Sequence, residues 1–386
     1  MSIFIFVIVG FLVLIGIGVF ALYFTGNTYL LKGIRIVYLK GHTGTYINDW
    51  SEFDNRLIRA ANSEERSVEK WKLHKEYNKA KPTERLNRIN QKMGTVAFLI
   101  FKEDQIWYED YAAAYGTTSK TNSFSMAKSI TTALLGKAIE EGFIKSLSQP
   151  VTDFFAECPA DLTVGDLASM ASGMQWNEDY DNPFSSVAKL YLVDDVKKYM
   201  LHQRYKEPPG TRFEYNSGNT QLLGMIIEKA VGQNLSDYLS KHFWQPMEMQ
   251  EDALWELDSQ SGSMEKCFCC IASNARDFAR FGKLFKDGGR WNGKQLLNEE
   301  FVGKCIRPRF KESPEYGYGF WLSDYKEKNS FVMQGILGQY VIVIPEDELM
   351  IVRLGHKQDL YKDSHAFRQD FFGYVDEVYQ MMGENS

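Results

Sequence analysis

The chain has 386 residues, 44% of them hydrophobic and 24% charged, with a net charge of −6. That balance suits one large folded domain or two intimate ones and excludes a disordered chain. An acidic surface without a basic run also argues against a nucleic-acid partner, which would need a positive groove to follow phosphates.

The first element is apolar. Residues 3–24 carry no charge and are long enough to cross a bilayer as one helix. A cleaved signal peptide would want basic residues ahead of this run and a small-x-small site behind it, and Ala21-Leu22-Tyr23 fails that pattern. Residues 1–24 therefore read as an uncleaved transmembrane anchor, with Tyr23, Phe24 and Tyr29 in the aromatic interface belt. Residues 25–44 read as a juxtamembrane connector and 45–386 as the folded domain. Lys32, Arg35 and Lys40 follow the span, and the positive-inside rule taken literally keeps the body in the cytoplasm.

Residues 45–92 are polar and charge-dense, suggesting helices or a wrapping arm broken at Lys81-Pro82. Thr95–Phe101 and Ile106–Tyr108, separated by a polar turn, predict a hairpin. Ile130, Ala133, Leu134, Ala138 and Ile139 recur at helical spacing up to a stop at Gly142. Residues 150–300 read as a helical insertion, with helices at Leu222–Val231 and Ala275–Phe285. Strands return at Tyr318–Trp321, Ser330–Gln334, Tyr340–Ile344 and Leu349–Leu354, before a final helix over residues 364–381. Strands at both ends of a helical middle imply one sheet assembled from distant segments. Five cysteines and six scattered histidines form no ligand set, so no metal or cofactor is expected. The thiols read as small buried hydrophobes.

Ser125-Met126-Ala127-Lys128 carries the chemistry. Three apart on a helix, Ser125 and Lys128 share a face, which brings an amine to a hydroxyl. A desolvated lysine can take the hydroxyl proton, and a helix start favours the anion that forms. The same spacing at Ser67/Lys70, Ser186/Lys189 and Ser323/Lys326 lacks the strand-then-helix context. Three further stretches belong with Ser125. Pro208–Asn219 presents Tyr215 at the tip of a turn, where a phenol can shuttle a proton. Met333–Tyr340 is a strand interrupted by glycine, a sign of close backbone approach. Met174–Tyr180 supplies Trp176 and Tyr180 as cleft walls.

Ser125-x-x-Lys128, then Tyr215, then a glycine-bearing strand near the end resembles the serine β-lactamase and penicillin-binding-protein superfamily. So do Ser172-Gly173-Met174-Gln175-Trp176, Pro209-Gly210-x-x-Phe213-x-Tyr215, Ala275–Gly282 and Trp291-Asn292-Gly293-Lys294. The flavour is that of the class C branch, nearest to amidases like 6-aminohexanoate-dimer hydrolase. The resemblance implies an α+β fold: an antiparallel sheet flanked by helices, plus a helical subdomain. It also implies catalysis by Ser125, Lys128 and Tyr215 through an acyl-enzyme, with the backbone N–H groups of Ser125 and Ile336 as the oxyanion site. Asn216, Ser217, Gln334, Gly335 and Gln339, with Trp176 and Tyr180, are then the substrate-binding candidates; His356 is a weaker one.

Two departures matter. The family's Tyr-x-Asn is Tyr215-Asn216-Ser217 here, and Met333 stands where a lysine or histidine usually grips a carboxylate. Both favour a neutral amide or ester over a penicillin or a cell-wall peptide. A β-lactamase or D,D-peptidase is the first alternative, and a catalytically silent scaffold the second. Anchored relatives face outside the cytoplasm, so the resemblance places the catalytic domain on the non-cytoplasmic side. No Gly-x-Ser-x-Gly elbow is present, which argues against an α/β-hydrolase.

Overall fold

A computed structural model describes residues 2–61, 71–361 and 366–383, so Ser67/Lys70 lies outside the described residues. Helix α1 (Ser2–Phe24) stands away from the body; its apolar stretch Phe4–Phe24 buries nothing against it. A short turn leads into α2 (Tyr29–Ile36), which is docked: Tyr29, Gly33 and Ile36 are buried.

Next come β1 (Asn55–Ile58), α3 (Glu84–Met93), the hairpin β2 (Thr95–Lys102) and β3 (Gln105–Tyr111), and β4 (Thr121–Asn122). The helical half holds α4 (Ala127–Glu140), α5 (Val164–Ala168), α6 (Ser186–Leu192), α7 (Val196–Leu201), α8 (Ser217–Val231) and α9 (Leu235–Leu239). Then follow β5 (Ala253–Glu256), β6 (Ile271–Ser273), α10 (Ala275–Lys286), the small pair β7 (Arg290–Trp291) and β8 (Lys294–Gln295), and α11 (Glu299–Cys305). The chain closes with β9 (Trp321–Ser323), β10 (Ser330–Gly335), β11 (Gln339–Ile344), β12 (Leu349–Gly355) and α12 (Gln369–Met381).

The expected sheet from distant segments is a six-stranded antiparallel one, ordered β3-β2-β12-β11-β10-β9. Its strands alternate faces with the two-residue period of a pleat. Phe98 and Ile100 point into a core with Ile342, Ile351, Phe371 and Val378, under α3 and α12. Leu99, Phe101, Val341 and Val343 point into the larger core shared with α4, α8 and α10. The sheet is thus buried on both faces, and the junction between sheet and helical half is where Ser125 sits.

Several expectations are corrected. A second sheet, ordered β1-β5-β6-β4, crosses the segments read as polar arm and helical insertion. Its strands have two to four residues, too few for alternation to register in sequence. The strand expected at 318–321 begins at Trp321, and the last helix begins at Gln369 rather than near 364. Helix α8 starts at Ser217, five residues before the periodic apolar run, because Asn216 caps it. Not all thiols are free: Cys269 and Cys270 form a disulfide between sequence neighbours, while Cys267 and Cys305 are free and buried.

Candidate active site

The turn that carries Ser125 is held from both sides. Asn122 at the end of β4 accepts the Phe124 N–H at 2.9 Å and donates to Asp49 at 2.8 Å and Glu256 at 2.9 Å. Phe124, immediately before Ser125, has φ of 44°. That left-handed conformation is costly for an aromatic residue and persists only where the surroundings enforce it. Gly335 at the end of β10 presses on the other side: a Cβ there would lie 2.4 Å from the Ser123 carbonyl oxygen. This contact gives Gly335 a packing role besides the substrate contact expected of it.

From the turn, α4 carries Lys128 inward to 2% exposure. Its Nζ lies 2.9 Å from Ser125 Oγ, 3.1 Å from Ser217 Oγ and 2.9 Å from the Phe268 carbonyl oxygen. Burial pushes its pKa down to about 8, opposed by the charge of Glu178. Protons at this cluster have a preferred route. The Phe268 carbonyl can only accept, and Ser217 gives its proton to Glu178 Oε1 at 2.5 Å. Of the three neighbours, Ser125 is the one whose O–H is free to donate to a neutral Lys128 amine.

Tyr215 stands over this pair, its ring centroid 5.1 Å from Lys128 Nζ, packed against Trp321 at 5.0 Å. Burial lifts its pKa well above the ordinary phenol value, while a hydrogen bond with Ser125 opposes the shift. The phenol therefore keeps its proton at neutral pH, beside Ser125.

Glu178 is the participant that sequence reasoning missed. It accepts from Trp176 Nε1 at 2.6 Å, Tyr180 OH at 2.6 Å, the Ser217 N–H at 2.9 Å and Ser217 Oγ. The alternation Trp176-x-Glu178-x-Tyr180 was its only trace in sequence. Trp176 is corrected from cleft wall to support, since its indole is spent on Glu178 and its ring lies against Gly218. Asn216 is corrected too: it is 2% exposed and caps α8 by accepting the Asn219 N–H. Gln339 is fully buried, donating to the Ile336 and Gly355 carbonyls at 3.2 and 2.7 Å, so it braces the β10–β11 turn. Met333 lies in the core beneath the sheet. Gln334 keeps an unpartnered, buried Oε1 and does not line the cavity described next. His356 pairs with Tyr115 at 3.3 Å, on the far flank of that turn.

Ser125, Ser217, Tyr180, Phe268 and Ile336 line one cavity of about 370 Å³. A larger groove of about 730 Å³, lined by the loop after α11, by β9 and β10 and by Phe372 of α12, contains none of these residues. The rival serines differ in setting. Ser186 Oγ accepts the Asn177 N–H, Lys189 reaches toward Gly26, and Ser323 Oγ accepts the Tyr325 N–H. Among the described residues no cluster of three or more metal-ligating side chains occurs.

A family model described as Beta-lactamase matches residues 72–370, well over half of the chain. The chain belongs to the Beta-lactamase family. The 6-aminohexanoate-dimer hydrolase of Paenarthrobacter ureafaciens is 26% identical over 290 residues, covering 69% of this chain and 73% of that one. A Bacillus anthracis structure named for the same activity superposes with a TM-score of 0.73 at 21% identity, over 87% of this chain and 93% of the other. The penicillin binding protein of Bacillus halodurans gives 0.60 at 16% identity, over 77% of this chain and 100% of its own. The fold is the β-lactamase and transpeptidase one, and the protein is a serine hydrolase.

Proposed function

We propose that this serine hydrolase cleaves an amide or ester bond through an acyl-enzyme on Ser125, held at a membrane by α1. The observation that carries the reading is Lys128 Nζ at 2.9 Å from Ser125 Oγ with its pKa pushed down to about 8. About a tenth of the lysine is then free amine at pH 7, where an unperturbed lysine would be almost wholly charged.

Ser125 Oγ attacks the carbonyl as Lys128 takes its proton. The oxyanion is met by the Ser125 and Ile336 N–H groups, each such donor contributing about a hundred-fold or more in related chemistry. The proton passes by way of Tyr215 to the leaving amine or alcohol. Water then cleaves the acyl-enzyme by the reverse relay. The buried Met333 leaves no cation in the strand position that would grip a carboxylate, which favours neutral substrates over penicillins and peptide termini.

A fluorophosphonate probe tests the reading. Labelling of the wild-type chain that disappears in Ser125→Ala supports it; a folded wild type that does not label moves the silent-scaffold alternative ahead. Turnover of neutral amides or esters but not ampicillin separates the proposal from the penicillin-directed one. Protease accessibility in sealed vesicles tests the non-cytoplasmic orientation.

A further inference from the structure

The cavity that holds Ser125 does not open simply to solvent. It runs from the nucleophile to α2, the helix that begins five residues after the apolar anchor ends. Leu30 and Ile34 of α2, with Val37 just past its end, form one of its walls. Pro183, Val187, Ala188, Tyr191 and Leu192, on and before α6, form the facing wall. Among the described residues, Asp181 is the single charged side chain in the lining, which contains no cation.

Helix α2 is a fixed part of this cavity. Lys32 donates to Asp194 and to the Asp258 carbonyl, both at 2.7 Å. Tyr29 OH donates to the Pro183 carbonyl at 3.1 Å. A Cβ at Gly33 would fall 2.9 Å from Leu192 Cδ1, so the glycine lets α2 lie close on α6. The cavity-lining Ile34 and Tyr38 are also 43% and 57% exposed, and the neighbouring Leu39 and Phe184 are 76% and 65% exposed. Aromatic and aliphatic side chains placed beside a membrane helix fit the lipid interface. The apolar wall of the cavity therefore follows directly in the chain on the apolar helix α1.

We infer that the substrate is an amphiphile: a neutral amide or ester bearing a long apolar chain, which enters from the bilayer along α2 with its scissile carbonyl leading to Ser125. The inference rests on the serine-hydrolase reading and names the substrate class of that same site. Burial of each methylene against Leu30, Ile34, Val37 and α6 contributes binding in proportion to chain length until the cavity is filled.

The test uses the full chain in phosphatidylcholine vesicles and, separately, in detergent micelles. Its probes are p-nitrophenyl esters with acyl chains of four, eight and twelve carbons. Labelling by a short-chain fluorophosphonate is measured alongside and reports on the hydrolase reading by itself. The expected result is that kcat/KM for the twelve-carbon ester exceeds that for the four-carbon ester at least tenfold, and that Ile34→Glu and Val37→Glu each reduce this ratio at least fivefold. A preference kept in micelles but lost in vesicles would overturn entry from the bilayer. A flat or falling chain-length series in protein that still labels would overturn the amphiphile inference while leaving the hydrolase intact. Absent labelling would strike the hydrolase reading instead.

Discussion

At the scale of single residues, the site turns on the charge state of Lys128. Its pKa is lowered to about 8 chiefly by burial, so kcat/KM is expected to rise with pH through a midpoint near 8, as the free amine replaces the ammonium. The charge of Glu178 raises that pKa. Glu178→Gln removes the charge and should move the rising limb to lower pH; a pH–rate profile that stays in place would refute the coupling. Lys128→Met should reduce kcat/KM by about 10²–10⁴-fold, the usual worth of a positioned general base, read with any ester that the wild type turns over. Lys128 and Ser125 were legible in the sequence because they stand three residues apart, Ser125 in the tight turn that leads into α4 and Lys128 in that helix's first turn. Glu178 was not, because its partner Ser217 is distant in the chain and only the fold brings the two to 2.5 Å.

At the scale of elements, the nucleophile turn is clamped between β4 and β10. Gly335 has an ordinary φ of −127°, so the obstacle to a side chain there is the Ser123 carbonyl and not backbone strain. Gly335→Ala should therefore cost about 1–3 kcal/mol of stability, as over-packing does, and slow fluorophosphonate labelling as the turn shifts; a denaturation midpoint unchanged from wild type would count against the clamp. The large hairpin and β10–β12 were legible because five or more residues alternate or run apolar. The short strands β1, β4, β5 and β6 were hidden for the opposite reason. They form because their backbone groups find partners across the fold, not because their sequences prefer extension.

At the scale of the molecule, the helical half and the small sheet meet over a buried ionic group. Lys266 and Glu256 are both fully buried, with Nζ and carboxylate 3.1 Å apart, and the ammonium lies 3.3 Å from the Phe53 ring centroid. Glu256 also holds Asn122, so this pair braces the nucleophile turn from below. Lys266→Met removes the cation that opposes the burial-driven rise of the Glu256 pKa, already to about 8, so the carboxyl takes up a proton and loses its partner at an expected cost of about 1–3 kcal/mol, measured by chemical denaturation. Helix α1 makes no such contribution, since it packs on nothing. Removal of residues 1–24 should release the protein from the membrane fraction with fluorophosphonate labelling retained; loss of the fold would show that α1 has a structural role.

What the sequence determined by itself was local chemistry and periodicity: a serine and lysine on one helical face, an apolar span of membrane length, and strands long enough to alternate. Those signals depend on neighbours within a few residues, so they survive without a fold. The tertiary structure alone decided which side chains converge from afar. It turned Asn216 and Gln339 away from the cavity, brought Glu178 to Ser217, and laid the helix after the apolar segment along the wall of the cavity that holds Ser125. Such contacts join segments up to hundreds of residues apart. Burial and hydrogen-bond satisfaction across the whole chain select them, and no local pattern records that outcome.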